Sequence, residues 1–274
     1  MKNRFFLSGM LSLLMFASAA QSTLRSMGVK VNVTDMRKAI TFYRDVLAFQ
    51  LESGDERSEM VVLKPGTGDE RIVLHLVSYV LPAKETEAAA SFTLQVNNLD
   101  DAIVALKSKG VNFGSYVKRK EGVGYAIYFD DPFQTRISMM HETVQNNPEF
   151  KEPRLYNFGF LVPDMTAARD FFVSKLGFVV RSEKYLPLDL PLGHADKTFA
   201  FMIHYREGVE PIHYNAPDNQ HVVVMFQTDS LDLAVRGLKD RGVVFTGGVV
   251  NGPLGREISF YDPFGYLSQL VERK

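Results

Sequence analysis

The sequence predicts an α+β protein made of four βαβββ modules that pair into two tandem domains with open, cup-shaped sheets. Two pairs of repeated phrases indicate this fold. The phrase "FDDPFQT" at 129–135 returns as "FYDPFGY" at 260–266, an offset of 131 residues. The phrase "DMRKAITFYRDVLAF", which begins at Asp35, returns as "DMTAARDFFVSKLGF", which begins at Asp164, an offset of 129 residues. Because the two offsets nearly agree, the chain is interpreted as a tandem duplication.

The first module shows how the residues specify each element. Val29, Val31 and Val33 alternate with polar residues, which predicts a half-buried strand. Asp35 follows and can cap a helix. The next residues carry an apolar stripe with the spacing of one helical face. Members of this stripe, with their counterparts in the second repeat, are predicted core residues: Phe42, Tyr43, Leu47, Phe171, Phe172 and Leu176.

Each repeat is itself double. The phrase "LDDAIVALKSKGV" follows a second alternating strand that begins near Phe92, and "LDLAVRGLKDRGV" occupies the same place in the second repeat. Gly110 and Gly242 stand where a helix of this length ends. Short strand-like runs such as "RIVLHLV" and "YAIYFDD" then follow the helices. The predicted unit is therefore a strand, a helix and three more strands, and it occurs four times.

The composition excludes several classes of function. The chain has 274 residues, of which 46 % are hydrophobic and 23 % charged, as is typical of a globular protein. Its net charge is −1, so no basic excess indicates nucleic acid or an anionic membrane as a partner. It has no Cys, and its stability must come from the core without disulfides. Nucleotide-binding loops and nucleophile motifs are absent from the sequence.

The first 20 residues are typical of a secretory signal peptide. Lys2 and Arg4 precede an apolar run at 5–16, and small residues follow at 17–20. The run is too short to cross a bilayer core of about 30 Å, which needs about 20 residues. We therefore expect cleavage and export to the periplasm or the medium, without membrane insertion after processing. An uncleaved anchor is the alternative.

The repeated phrases resemble the vicinal oxygen chelate superfamily, which includes glyoxalase I, the bleomycin-resistance proteins and the extradiol dioxygenases. The segments that carry the resemblance are "VNVTDMRKAITFYRDVLAF", "LVPDMTAARDFFVSKLGF", "VNNLDDAIVALKSKGV" and "FYDPFGYLSQLVE". The family's turn before the last strand is Asp-Pro-x-Gly, and Gln134 replaces its Gly in the first repeat. The predicted boundaries are 1–20 for the signal peptide, 21–146 for domain 1 (modules near 27–82 and 89–143) and 152–274 for domain 2 (modules near 155–214 and 220–274).

The alternation of the strands predicts which residues line each cup. Where Val29, Val31 and Val33 face the helices, Lys30 and Asn32 face inward. Polar inward residues are costly unless they contact water or a ligand. We therefore expect a wettable cup that binds a small organic molecule, and we expect Lys30 to meet water or a ligand carboxylate. The predicted cup residues are Lys30, Asn32, His75, Thr93, Gln95, Asn157, His204 and Gln269.

The resemblance also implies four inward metal-ligand positions in each domain. In this chain they fall on Gly28, His75, Ser91 and Ser138, and on Asn157, His204, Val223 and Gln269. His221 lies two residues before Val223 on the same strand face. A shift of two residues in the strand register would bring it into the metal-ligand position. The candidate metal ligands are then His204, His221 and Gln269, a set without the carboxylate that most metal–oxygen chemistry uses.

Two functions stay open at this point. The first is an exported protein that binds a small organic ligand in a polar cup, without a complete metal site and without a cofactor. The alternative is an enzyme of the superfamily, a glyoxalase-like lyase or isomerase or an extradiol-type dioxygenase, that uses a divalent metal in domain 2 only. No catalytic residue is assigned, and a homodimer is one expected assembly. The insert "YLPLDLPLGHADKTFA" at 185–200 is either a flap over the second cup or a surface loop.

Overall fold

The computed structural model describes residues 24–81, 90–121, 124–143, 153–194, 199–208 and 220–273, so the predicted signal peptide lies outside it. Each module of the first repeat consists of one strand, one helix and three further strands. These elements are β1 (Arg25–Val33), α1 (Met36–Ile40, continued by a π-helical segment, Thr41–Val46), β2 (Gln50–Ser53), β3 (Met60–Lys64), β4 (Arg71–Leu76), β5 (Ser91–Gln95), α2 (Leu99–Ser108), β6 (Arg119–Glu121), β7 (Gly124–Asp130) and β8 (Arg136–Glu142).

The second repeat has the same order of elements. The predicted cap Asp35 accepts from Lys38 N at 2.9 Å, and its counterpart Asp164 accepts from Thr166 N at 2.8 Å. The central part of the insert at 185–200, expected to be a flap or a surface loop, forms a strand, β11. The elements are β9 (Arg154–Val162), α3 (Met165–Arg169, continued by a π-helical segment, Asp170–Lys175), β10 (Val179–Val180), β11 (Asp189–Gly193), β12 (Phe199–Tyr205), β13 (Val222–Thr228), α4 (Leu231–Asp240), β14 (Phe245–Asn251), β15 (Gly255–Tyr261) and β16 (Leu267–Arg273).

The sixteen strands of the described residues form two eight-stranded sheets, as the predicted fold class requires. Sheet A has the order β14-β15-β16-β13-β1-β4-β3-β2, and sheet B has the order β10-β11-β12-β9-β5-β8-β7-β6. Sheet A therefore joins the first module to the fourth, and sheet B joins the second to the third. The expectation that neighbouring modules within one repeat share a cup is corrected by this topology.

The first strands of the modules mediate this pairing. In sheet A, β1 runs antiparallel to β13 with Val29 opposite Val224, and in sheet B, β5 runs antiparallel to β9 with Phe92 opposite Phe158. All four first strands place apolar residues on the helix side, and each can in principle pair with any other. The repeat therefore specifies the module but leaves open which module becomes its partner.

The helix-facing sides of both sheets belong to one hydrophobic core. The six predicted core residues all lie in it, and the most exposed of them, Phe42, is only 8 % exposed. The opposite side of sheet A carries a second, smaller apolar cluster around Met225 and Val271. Among the described residues, no helix is long and apolar enough to span a membrane.

Candidate functional site

A cavity of about 580 Å³ lies on the face of sheet B that points away from the helices. Residues from β5, β7, β9, β11 and β12 line it, and His221 and Val222 at the start of β13 join them. Such a volume falls in the range of small-molecule sites. The cavity walls contain these polar and aromatic side chains: Ser91, Tyr116, Arg119, Tyr128, Gln134, Arg136, Asp189, His204, Tyr205, Arg206 and His221.

The repeat explains why sheet B has room for a cavity. Gly159 stands where the equivalent strand of sheet A has Lys30, and Ala126 stands in place of Glu257. Gly159 also permits a close approach, because a Cβ added there would lie 3.0 Å from His204 Nε2. Sheet B therefore has small residues at positions where sheet A has long ones.

Three guanidinium groups border the cavity, from Arg119, Arg136 and Arg206. The Arg136 guanidinium lies 5.2 Å from the centre of the Tyr116 ring, and its Nε lies 3.5 Å from Asp130 Oδ1. The Tyr116 hydroxyl donates to Asp130 Oδ2 at 3.4 Å. Burial raises the pKa of Tyr116, so this hydroxyl is a hydrogen-bond donor at neutral pH. Stacking and ion pairing thus orient Arg136 within the wall.

His204 and Asp189 form a hydrogen-bonded pair on the cavity wall. His204 Nδ1 lies 2.7 Å from Asp189 Oδ1, and the two side chains are 46 % and 41 % exposed. In the tautomer that donates its Nδ1 proton to this carboxylate, Nε2 is an acceptor over Gly159. The equivalent histidine of sheet A, His75, has Asn32 Oδ1 as its partner at 2.9 Å. The duplicated histidine therefore has a carboxylate partner only in sheet B.

His221 is held on both sides of its ring. Its Nε2 lies 2.6 Å from the Leu81 carbonyl oxygen, and its Nδ1 lies 3.2 Å from Thr135 Oγ1. Burial lowers the pKa of His221, which favours the neutral ring. Because both ring nitrogens have hydrogen-bond partners, His221 lines the cavity without a nitrogen available to a ligand or a metal.

The eight predicted cup residues divide between the sheets. Lys30, Asn32, His75 and Gln269 belong to sheet A, and each is at most 9 % exposed. Thr93, Gln95, Asn157 and His204 belong to sheet B, but only His204 lines the cavity. Gln95 is buried between Arg154 Nε, at 2.8 Å, and Glu142 Oε2, at 3.2 Å.

The expectation that Lys30 meets water or a ligand carboxylate stays a prediction. The structure adds that Glu257 on β15 is near enough for the Lys30 charge to lower its pKa, against the raising effect of burial. The sequence argument compared only the first strands of the modules, and β15 is the third strand of its module. For the same reason the sequence argument missed Tyr128 and Arg136. The alternation of β7 and β8 places these two residues on the inward face.

Comparison with known proteins supports this architecture. The family model for the Glyoxalase/Bleomycin resistance protein/Dioxygenase superfamily matches residues 25–139 and 154–270. The chain belongs to this superfamily. Glyoxalase I from Zea mays is 18 % identical with a TM-score of 0.67, over 92 % of this chain and 93 % of that one. A Bacillus subtilis protein titled as a dioxygenase is 12 % identical with a TM-score of 0.67, over 92 % and 86 % of the two chains.

These likenesses show the fold alone, and no curated protein matches the chain. Relatives in the glyoxalase superfamily typically use a divalent metal. The present residues fit such an ion poorly. His204 lies on sheet B and Gln269 on sheet A, so the three candidate ligands do not surround one point. The described residues contain no group of three His, Cys, Asp or Glu side chains that could hold a metal ion.

Proposed function

We propose that this glyoxalase-superfamily protein binds a small organic anion in the sheet B cavity, without a complete metal site. The observation that carries the proposal is the set of three arginines around a space that Gly159 helps to leave open. Guanidinium groups bind carboxylates and phosphates in a bidentate manner. Asp189, the carboxylate on the described wall, is already bonded to His204, and Arg136 is paired with Asp130. Arg119 and Arg206 therefore give the cavity wall its excess of positive charge.

The aromatic side chains suit a ligand with a flat or apolar part. Tyr116, Tyr128 and Tyr205 line the cavity together with Leu161 and Leu188. Tyrosine provides a broad apolar ring and a hydroxyl that can hydrogen-bond the ligand. We expect one end of the ligand to contact the guanidinium groups and the other to pack against these rings.

Ligand binding is expected to raise the melting temperature of the protein. At 100 times its Kd, a ligand that binds only the folded state adds about 2.7 kcal/mol, which corresponds to a shift of about 5–10 °C. A screen of small carboxylates and phosphate esters by thermal denaturation measures this shift.

Arg206→Met should abolish the ligand-induced shift while the unliganded protein stays folded, because Arg206 lies at the surface. Arg57→Met, on an exposed loop outside the cavity, is the matched control. Equal shifts in wild type and Arg206→Met would contradict the proposal.

A second candidate function is catalytic, and the His204–Asp189 pair favours it. A histidine held by a carboxylate is a suitable general base when its other nitrogen faces the ligand. In the enzyme alternative, His204 would move a proton on the bound ligand. Metal analysis of protein purified without a histidine tag distinguishes a metal-dependent enzyme from a metal-free one. A stoichiometric divalent metal that His204→Ala removes would favour a metal-dependent enzyme over simple binding.

Export is also part of the proposal, because residues 1–20 have the pattern of a cleaved signal peptide. N-terminal sequencing of the mature protein should give a start after Ala19 or Ala20. A periplasmic or secreted protein that begins at Met1 would rule out processing. The homodimer stays a prediction, and sedimentation velocity would test it.

A further inference from the structure

The two copies of the repeated turn differ in one strained residue. In the first turn, residues 131–135, Gln134 has a positive φ of 69°, in the left-handed region that residues with a side chain rarely adopt. Its counterpart in the second turn, residues 262–266, is Gly265, with a φ of 87°. Glycine adopts this region readily, whereas a Cβ makes it unfavourable. The first turn therefore carries a cost in stability that the second turn avoids.

The hydrogen bonds of the turn do not require a glutamine. In the first turn Asp131 N donates to the Thr135 carbonyl oxygen at 2.9 Å, and Gln134 N donates to the Asp131 carbonyl oxygen at 3.1 Å. The second turn makes the same two bonds at 3.0 and 3.2 Å, with Gly265 in place of Gln134. The backbone of the turn therefore does not explain the glutamine.

The side chain of Gln134 belongs to the wall of the sheet B cavity. Gln134 is exposed and lines the cavity together with Arg136, two residues further along the chain. Between them Thr135 is buried, and its hydroxyl lies 3.2 Å from Nδ1 of His221, which also lines the cavity. Gly265 is not among the described residues that line this cavity. The strained copy of the turn is thus the one that contributes to the cavity.

An amide at this place suits an anion that arginines bind. The Gln134 Nε2 carries two donor hydrogens, and a carboxylate or a phosphate has more acceptor positions than one guanidinium fills. Hydrogen bonds to a charged acceptor are stronger than hydrogen bonds between neutral groups. Strained residues are typical of ligand-binding sites, where the surrounding structure holds them in place. A gain in binding can therefore outweigh the cost of the turn.

We propose that Gln134 is a ligand-binding residue of the sheet B cavity, and that its Nε2 donates a hydrogen bond to the anion held by the arginines. This role rests on the proposed anion binding and adds an uncharged donor to the same site. The left-handed backbone of the first turn is the cost of placing this side chain on the cavity wall.

Gln134→Gly should raise the Tm of the unliganded protein by about 2 °C, because relief of the left-handed backbone outweighs the entropy cost of the added glycine. Gly265→Gln is the matched control, since it introduces the same strain in the second turn and should lower the Tm. Thermal denaturation without ligand measures both changes. A lower Tm in Gln134→Gly would show that the glutamine stabilises the fold, and it would overturn the proposal.

Gln134→Met separates strain from binding, because methionine keeps the strained backbone and the length of the side chain but cannot donate a hydrogen bond. The probes are phenylacetate and phenyl phosphate, which each join an anionic group to a flat ring. For a probe that raises the Tm of wild type, we expect the Kd to rise about tenfold in Gln134→Met and in Gln134→Gly. In Gly265→Gln the Kd should change by less than about twofold. Isothermal titration calorimetry measures these constants.

The proposed function and the role of Gln134 fail in different ways. If neither probe raises the Tm of wild type, anion binding is contradicted, and the role of Gln134 with it. If wild type and Gln134→Met bind a probe with the same Kd, the cavity binds anions but Gln134 takes no part, and the role of Gln134 alone is overturned.

Discussion

Phe201→Ala is expected to lower the free energy of unfolding by about 3–5 kcal/mol, the usual cost of removing a fully buried phenylalanine. Phe201 is 0 % exposed. Its ring centre lies 4.9 Å from that of Phe178 and 5.1 Å from that of Phe172, with Phe158 and Phe160 slightly further away. Few other side chains in the described core have as many aromatic neighbours.

Phe201 also connects the two sheets. Its ring centre lies 5.9 Å from that of Phe226, which belongs to β13 of sheet A, whereas Phe201 belongs to β12 of sheet B. The variant therefore leaves a cavity where the sheets share their core, and neighbouring rings cannot close it without distortion. Urea denaturation of wild type and variant measures the loss. Val104→Ala, on the exposed side of α2, is the control and should change stability by less than about 0.5 kcal/mol. A loss below about 1 kcal/mol for Phe201→Ala would mean that the core is assigned wrongly.

Asp262 is expected to make the protein less stable as the pH rises from about 4 to about 8. It is buried in the turn of "FYDPFGY", where its Oδ1 accepts from Phe264 N at 2.8 Å and Tyr266 N at 2.9 Å. Its Oδ2 is buried without a hydrogen-bond partner among the described residues. Burial raises the pKa of Asp262 to about 7, against the lowering effect of these backbone N–H groups.

The other copy of the turn shows what Asp262 lacks. Asp131 accepts from Thr135 N at 2.7 Å in the same manner, but its Oδ2 also accepts from the Tyr43 hydroxyl at 2.8 Å. Burial raises the pKa of Asp131 only to about 6. Phe172 occupies the position of Tyr43 in the second repeat and has no hydroxyl to donate. The difference between the two pKa values therefore has a visible structural cause.

The sign of the effect follows from the raised pKa. In the unfolded chain the carboxyl ionises near pH 3.8, whereas in the folded protein it holds its proton until about pH 7. The stabilising contribution of the proton is complete below pH 3.8 and is lost as the pH rises through 7. The loss amounts to about 4 kcal/mol, since each pKa unit corresponds to about 1.4 kcal/mol. Denaturation curves at several pH values measure it.

Three variants isolate this carboxyl. Asp262→Asn should remove the Asp262 part of the pH dependence between about 4 and 7, because the amide does not titrate there, and the smaller Asp131 part should remain. Phe172→Tyr should supply the missing donor and move the loss of stability to lower pH. Tyr43→Phe is the matched control in the first repeat and should move the Asp131 contribution to higher pH. An unchanged pH profile in Asp262→Asn would show that another group dominates.

The sequence alone determined the module and its core. The alternation of Val29, Val31 and Val33, the caps Asp35 and Asp164, and the apolar stripe through Phe42 and Tyr43 all have the predicted roles. These features depend on residues close together in the chain, whose spacing is fixed by helix and strand geometry. The turn phrases that mark the duplication are likewise local. Gln134 in the first turn has a positive φ of 69°, and its counterpart in the second turn, Gly265, has a positive φ of 87°.

The tertiary structure decided which modules share a sheet, and with that the composition of the site. Periodicity shows that Lys30 faces inward, but its cross-strand partner, Val223, comes from a strand more than 190 residues away. In the same way His204 meets Asp189 through the pairing of β12 with β11, where the sequence predicted a flap or a surface loop. Four first strands that all place apolar residues on the helix side can pair in several ways, and the packing of the whole core selects β1 with β13 and β5 with β9. The composition of the sheet B cavity follows from that selection.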